Sequence, residues 1–397
     1  MRSQHLEFDP AREDEFFSAL PSSAAVFLLR SHDPDAEPYV SKTADLRRRL
    51  KRLLERPAET SRKLNLRELA HKLEFSETSS DFEANFLLYK LTRSQFPKTY
   101  SRRLRLRFAP LVKLHLRNHY ARASVTRRLG SLDSGNVYYG PFASRAAAEK
   151  FANDSLDFFK LRRCVEDLRP DPAFPGCIYS EMKMCLAPCF KGCSDEEYAA
   201  EGARVKAFLD TAGESLVREI TRQREAAAAR LEFEEASALH VRLEKLKPVI
   251  GQLPEIARRI DELSGVVVQP SSAPECVNLF TLHYGVICDP LKFPIRSPEH
   301  AKSQSMEARV QEALAHAPAI EPVSTTERME HLAILKRWYF RGKRAGEIFL
   351  IEESGGLPMR RLVRGIARVY RAEKEESLES PASDQTKSGP TGARNGK

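Results

Sequence analysis

The spacing of apolar residues changes several times along the 397-residue chain. Residues 22–30, SSAAVFLLR, form a short apolar run that predicts a buried strand. The polar turn SHDPDAEP follows with its two prolines, and PYVSK predicts the second arm of a hairpin. From Ala44 to Glu55, Leu46, Leu50, Leu53 and Leu54 recur at helical spacing within a basic segment. Residues 81–93, DFEANFLLYKLTR, predict another helix with Phe82, Phe86 and Leu87 on its apolar face and Asp81 near its start. These elements make a small α/β unit ending near Tyr100. Short strands are expected from Arg105 to Phe142, a helix over 145–161, and a Cys- and Pro-rich loop from Cys164 to Cys193. Residues 195–247 read as a long helical block, most simply two antiparallel helices, interrupted by Pro248 and VIGQLPE. Strand patterns return after residue 264 in GVVVQP and VNLFTLHYGVI. Further helix and strand patterns follow in ERMEHLAILKRWYF and GEIFLIE. Residues 376–397 are Ser/Pro/Gly/Thr/Lys-rich and read as a disordered tail.

The fold class is therefore α+β, and the chain divides into five segments: 19–104, 105–195, 196–262 with a helical hairpin at about 223–258, 263–375 and 376–397. A hydrophobic content of 42% is enough for real cores. No apolar run approaches the ~18–20 residues a membrane span needs. The N-terminal MRSQHLEFDPAREDEFF carries charges where a secretion signal needs an apolar stretch. The expectation is a soluble, cytoplasmic protein with no membrane partner. Its net charge of +9 is moderate, but its distribution is uneven: no acidic residue stands between Glu83 and Asp133, a stretch with twelve Lys and Arg. Arg47, Arg48, Arg49, Lys51 and Arg52 form a second cluster. Phosphate backbones bind such patches by counterion release, which makes Arg47, Arg48, Lys51, Arg102, Arg103 and Arg105 candidate DNA contacts.

There are seven cysteines, four of them spaced as Cys164-x12-Cys177-x7-Cys185-x3-Cys189, with Cys193 just beyond. Clustered cysteines in an intracellular chain point to a metal rather than to disulfides. The spacing is not that of paired C-x-x-C ribbons, so an iron–sulfur cluster and an atypical zinc site both stay open. Cys276 and Cys288 lie on apolar strands and read as packing residues.

Three separated segments carry a family resemblance. AVF-x11-YVSK followed by DLRRRL, with Glu83 on a later helix, resembles the GIY-YIG nuclease core of the UvrC excinuclease family. YYGPFAS with the four cysteines and CLAPC resembles that family's cysteine-containing region. ARLEFEEASALHVRLEKL is similar to the helical hairpin, the UVR motif, that the UvrC family shares with the helicase component of the excinuclease. Order and spacing match over roughly residues 20–260. The segment beyond 264 looks like the one leading into the family's RNase H-like second nuclease domain, and neither that domain nor the helix–hairpin–helix module has a counterpart.

The resemblance implies hydrolysis of one phosphodiester bond with one divalent metal, Mg²⁺ or Mn²⁺. It places Tyr39 next to the attacking water, Lys42 where it could lower that phenol's pKa, Arg49 on the phosphate, and Glu83 as the metal's carboxylate. It implies a [4Fe–4S] cluster on Cys164, Cys177, Cys185 and Cys189, with zinc as the alternative. It also implies that Phe233, Leu239 and Leu243 dock the hairpin on UvrB, the damage-loading helicase of the excinuclease, with damaged duplex DNA as substrate. Several positions depart from the pattern. The first motif's Gly-x-Tyr is Ala25-Val26-Phe27, the second motif's glycine is Ser41, and the tyrosine expected a turn after Arg49 is Leu53. The late asparagine is absent from PKTYS, and the hairpin's Arg-Asp is His240-Val241. Two functions follow as expectations: an excision-repair endonuclease, or a weakened or inactive accessory that binds DNA and partner.

Overall fold

The structure, a computed structural model, describes residues 4–56, 64–296, 304–317, 322–352 and 355–371. The tail expected over 376–397 lies outside these residues. The described chain is α+β, with three antiparallel sheets, each carrying its own helices.

The first unit runs β1 (Gln4–Glu7), α1 (Glu13–Ala19), β2 (Ala25–Ser31), β3 (Tyr39–Thr43), α2 (Leu46–Leu54), β4 (Ala70–Glu77) and α3 (Asp81–Gln95), with sheet order β1-β4-β2-β3. The sheet thus begins before residue 19, because β1 adds to the edge of β4 from Gln4 opposite Phe75. Alternate residues of a strand face opposite sides, and β2 uses both. Phe27 and Leu29 join Leu46, Leu50, Leu53 and Leu54 of α2, while Val26 packs on Ala84 and Leu87 of α3. Burying each leucine of α2 contributes about 1.5–3 kcal/mol. Asp45 caps α2 by accepting from the Arg48 N–H, and Ser80 caps α3 by accepting from the Glu83 N–H.

After a short α4 (Tyr100–Leu104), the second unit comprises β5 (Leu111–Leu114), β6 (Ala123–Thr126), β7 (Val137–Gly140), α5 (Arg145–Leu156), a one-turn α6 (Ile178–Glu181), α7 (Asp195–Asp210), α8 (Glu214–Ala229), α9 (Phe233–Ile250) and β8 (Arg258–Arg259). The block expected to hold two helices holds three. Pro248 sits inside the last turns of α9 rather than ending it. The expected helix over 145–161 stops at Leu156. The expected boundary at 195/196 does not separate two bodies: Phe151, Tyr198, Phe208, Ile220 and Leu246 share one core, and β8 closes the β6-β5-β7-β8 sheet.

The third unit contains β9 (Gly265–Pro270), β10 (Cys276–His283), β11 (Val286–Ile287), β12 (Leu291–Pro294), α10 (Met306–Ala315), α11 (Thr325–Tyr339), β13 (Glu347–Leu350) and α12 (Met359–Tyr370). On one face Val266, Val268 and Leu279 meet Leu362 and Ile366 of α12. Gly365 permits that approach, since a Cβ there would stand 2.1 Å from the Phe349 ring. On the other face Val267, Phe280 and Leu282 meet Leu332 and Leu335 of α11 together with Phe82 and Phe86 of α3. Helix α3 is therefore clad by the first sheet on one side and the third sheet on the other.

Candidate functional site

Tyr39 opens β3 and Arg49 lies one turn into α2. The Arg49 guanidinium donates to the Tyr39 hydroxyl at 3.0 Å. Phe27 is wholly buried, 6.0 Å from the Tyr39 ring, and paired in register with Ser41. Leu53 fills the α2 core where the family pattern has a tyrosine. Beside this pair a cleft of about 620 Å³ is lined by Arg47, Arg48, Arg49, Lys51, Arg52 and the capping Asp45, among others. Arg48, Lys51 and Arg52 are exposed, so the cleft presents cations to a phosphate backbone. Arg47 does not add to them: its guanidinium donates to the Leu20 carbonyl at 2.7 Å and the Ser18 carbonyl at 3.3 Å, tying α2 to α1. Arg103 is likewise committed, stacked 3.8 Å over the Phe96 ring and paired with Glu37. Arg102 and Arg105 are exposed.

Lys42 is not beside Tyr39. Three residues apart on a strand, the two side chains leave opposite faces. Lys42 donates to Asp81 at 2.5 Å and to Asn85 at 2.8 Å on the α3 side. Burial pulls the Asp81 carboxyl up, but Lys42 and Arg341 more than offset it and the net direction is down. Lys42 thus serves as an ion-pair anchor for α3 rather than as a neighbour of the phenol.

Glu83 departs further from its expected role. It is 5% exposed. One carboxylate oxygen accepts from the Ser79 N–H at 2.9 Å and the other from the Asn278 amide at 3.0 Å. Burial raises its carboxyl above the ordinary range, against the Ser79 N–H and the Lys292 charge. Magnesium keeps several waters and needs open space beside its carboxylate. Glu83, roofed by β10, does not fit that ion in this arrangement. The sequence offered no sign of Asn278, 195 residues away. A separate cavity of about 760 Å³ opens between α3 and α11, but its charges are already matched: Lys90 pairs with Asp289 at 2.6 Å and Arg93 with Glu327.

The four cysteines lie near one another. Cys164, Cys177, Cys185 and Cys189 are all partly buried. Burial, then the nearness of Cys164, Cys189 and Cys177, pushes the Cys185 thiol up to about 11. The Ala187 N–H donates to the Cys185 sulfur at 3.3 Å, and the Arg162 guanidinium donates to the Cys164 sulfur at 3.4 Å. The loop turns through left-handed residues at Gly176, Lys183, Ala187 and Lys191. A sulfur-only donor set suits a soft centre. Among the described residues no three His, Cys, Asp or Glu side chains close around a single ion. The four-sulfur donor set is compatible with an iron–sulfur cluster and with zinc.

The hairpin of α8 and α9 divides the residues expected to face a partner. Leu243 is 7% exposed and sits in the chain's own core with Leu246 and Val249, so it is not available to a partner. Leu239 is half-buried against that core. Phe233 is 69% exposed at the tip, with Leu231 and Val241 exposed beside it. Phe233, Ala238 and Val241 line a shallow apolar surface on α9. Leu231 and Phe233 are therefore tip residues, and Val241 continues the exposed apolar surface two helical turns along α9.

Residues 110–209 match the family model for the UvrC/Cho excinuclease, middle domain, a span that includes the thiol loop. UvrABC system protein C of Rickettsia africae (strain ESF-5) is 27% identical over 273 residues, which are 68% of this chain and 42% of the relative. The protein of the same name from Brucella abortus biovar 1 (strain 9-941) is 26% identical over 277 residues, with the same two shares. The chain spans about two fifths of the length of these curated relatives, and it is UvrC-like over the matched region. No solved structure matches it. No helix among the described residues is long and apolar enough to cross a membrane.

Proposed function

We propose that this UvrC-like chain is a DNA- and partner-binding accessory of nucleotide-excision repair, built on a GIY-YIG-type scaffold whose carboxylate serves the fold. The observation that carries the reading is Glu83, buried beneath β10 with both oxygens engaged. Loss of the first-motif hydroxyl at Phe27 and the diversion of Lys42 to Asp81 support it. In this reading the exposed cations Arg48, Lys51, Arg52, Arg102 and Arg105 hold the backbone of damaged duplex DNA. The four cysteines carry an iron–sulfur cluster that stiffens the loop. The tip of the hairpin, Phe233 with Leu231 and Val241, docks a helicase of the UvrB type.

A second reading, a metal-dependent endonuclease, is favoured by the Tyr39–Arg49 bond. It requires α3 to part from β10 so that Glu83 reaches solvent. The deciding experiment is Mg²⁺-dependent nicking of damaged duplex DNA, with and without the loading proteins, for the wild type and Glu83→Gln. The accessory reading expects DNA binding without nicking in both. Nicking by the wild type that vanishes in Glu83→Gln would establish the endonuclease instead.

A further inference from the structure

We infer that Arg162 is the resident counter-charge of the four-thiolate centre. This rests on the reading that the four cysteines hold a metal centre, and it concerns a residue that carries none of the ligands. Arg162 is 3% exposed, and an arginine stays protonated in a protein. Its Nε donates to the Tyr120 carbonyl at 3.1 Å. Its Nη1 donates to the Glu166 carbonyl at 2.9 Å and to the Cys164 sulfur at 3.4 Å. The two carbonyls take only two of its five N–H groups and leave its charge unanswered among the described residues, and a buried charge without a partner is costly.

Carboxylates are not scarce in this unit. The adjacent Arg163 pairs with Asp157 at 2.7 Å, and Arg204 is held between Glu201 and Glu219. Yet no carboxylate reaches Arg162 among the described residues. Glu166 turns its backbone oxygen to the guanidinium instead. Among the described residues, the one group bonded to the guanidinium that can become an anion is the Cys164 sulfur. Four thiolates around an iron–sulfur core, or around zinc, leave net negative charge, and that charge completes the pair.

The position is also rigid. The Arg162 N–H donates to the Tyr198 hydroxyl at 3.0 Å, and that hydroxyl donates to the Ala121 carbonyl at 2.8 Å. The cation is thus fixed against the wall of the loop before any metal enters. Arg162 acts as a positioning residue: its charge is answered when the centre is loaded, and it stands uncompensated against the Cys164 sulfur when the loop is empty.

The test uses the full chain, purified without oxygen, as wild type and as Arg162→Lys, Arg162→Gln and Arg162→Met. Iron, sulfide and zinc per chain are measured first, then the rate of metal loss to excess chelator, then melting of the loaded and stripped proteins. Gln and Met should loosen the metal between about 10- and 100-fold, the usual range for a group that supports a ligand. Lys, which keeps the charge, should stay close to wild type. Stripped Arg162→Met should melt at or above stripped wild type, because an uncompensated buried charge has been removed. Metal held as firmly by Arg162→Met as by wild type would overturn the inference. Equal losses of stability in loaded and stripped Arg162→Met would also overturn it, by reducing Arg162 to a strut. A wild type that holds neither iron nor zinc would overturn the metal-centre reading itself, and this inference with it.

Discussion

Helices α3 and α9 carry most of the helical side chains that the family resemblance singles out, and the fold treats the two in opposite ways. α3 is covered on both faces, by Val26 of the first sheet and by Phe280 and Leu332 of the third unit. α9 is covered only over its C-terminal half, where Leu243, Leu246 and Val249 are buried, and its first turns leave Phe233 bare. A carboxylate on the first helix is held by the fold. A phenylalanine on the second is held by nothing and is open to a partner. Packing, not residue type, decides which motif position remains a site.

The sharpest way to break this contrast is Phe86→Ala. Phe86 is 2% exposed and its ring lies 6.1 Å from that of Phe280. Truncation should cost about 3–5 kcal/mol in denaturant unfolding, with the first and third units losing structure together. A loss below about 1 kcal/mol would mean that α3 is not shared between them. Leu243→Ala should follow, at about 2–5 kcal/mol, since Leu243 belongs to the chain's own core. A neutral result would return it to the docking surface.

The α3–α11 seam should also respond to acid. Burial lowers His331 to about 4, and its Nδ1 accepts from the Ile287 N–H at 3.0 Å. Its folded value lies below the unfolded one of 6.5, so the unfolded chain takes up more protons in between. Stability is present above about pH 6.5 and is lost as pH falls towards about 4, by about 3 kcal/mol. Melting of His331→Gln across that window should be flatter than that of wild type, and equal slopes would dismiss the seam as the acid-sensitive part.

Glu83→Gln should change stability by no more than about 1 kcal/mol at neutral pH, because the desolvated charge it removes is already disfavoured. A loss above about 3 kcal/mol would show that the ionised form is needed. The smallest effect belongs to Phe233→Ala: stability within about 0.5 kcal/mol of wild type, while capture of a UvrB-type helicase falls. Full capture by that variant would move the docking surface off the tip.

Much of this architecture could be read from the residues. The hairpin of β2 and β3, the leucine spacing of α2 and the start of α3 stand where the apolar periods put them. The four cysteines lie near enough to influence one another electrostatically. The opposite faces of Tyr39 and Lys42 were also legible, since strand side chains alternate. Other features were not. The burial of Glu83 depends on Asn278 of a distant strand, and no local pattern reports such a contact. The apolar series from Leu231 to Leu246 looks continuous in sequence. Only the burial of its later half in the second unit's core separates anchor from tip. α12 was hidden by its four arginines, which mask a stripe of Leu362, Ile366 and Val369. Arg162 gave no sign beyond standing two residues before a cysteine.

Because α3 needs a roof made late in the chain, the first unit has a problem in time. Glu83 and Asn278 are 195 residues apart, so at about 5–20 residues per second a ribosome takes about 10–40 s to pass from one to the other. Throughout that interval Phe82 and Phe86 lack the part of their native cover that Phe280, His331 and Trp338 supply. The nascent first unit therefore presents an apolar face to the cell while the whole thiol-bearing unit is synthesised, and a chain stopped before β10 would keep that face exposed permanently.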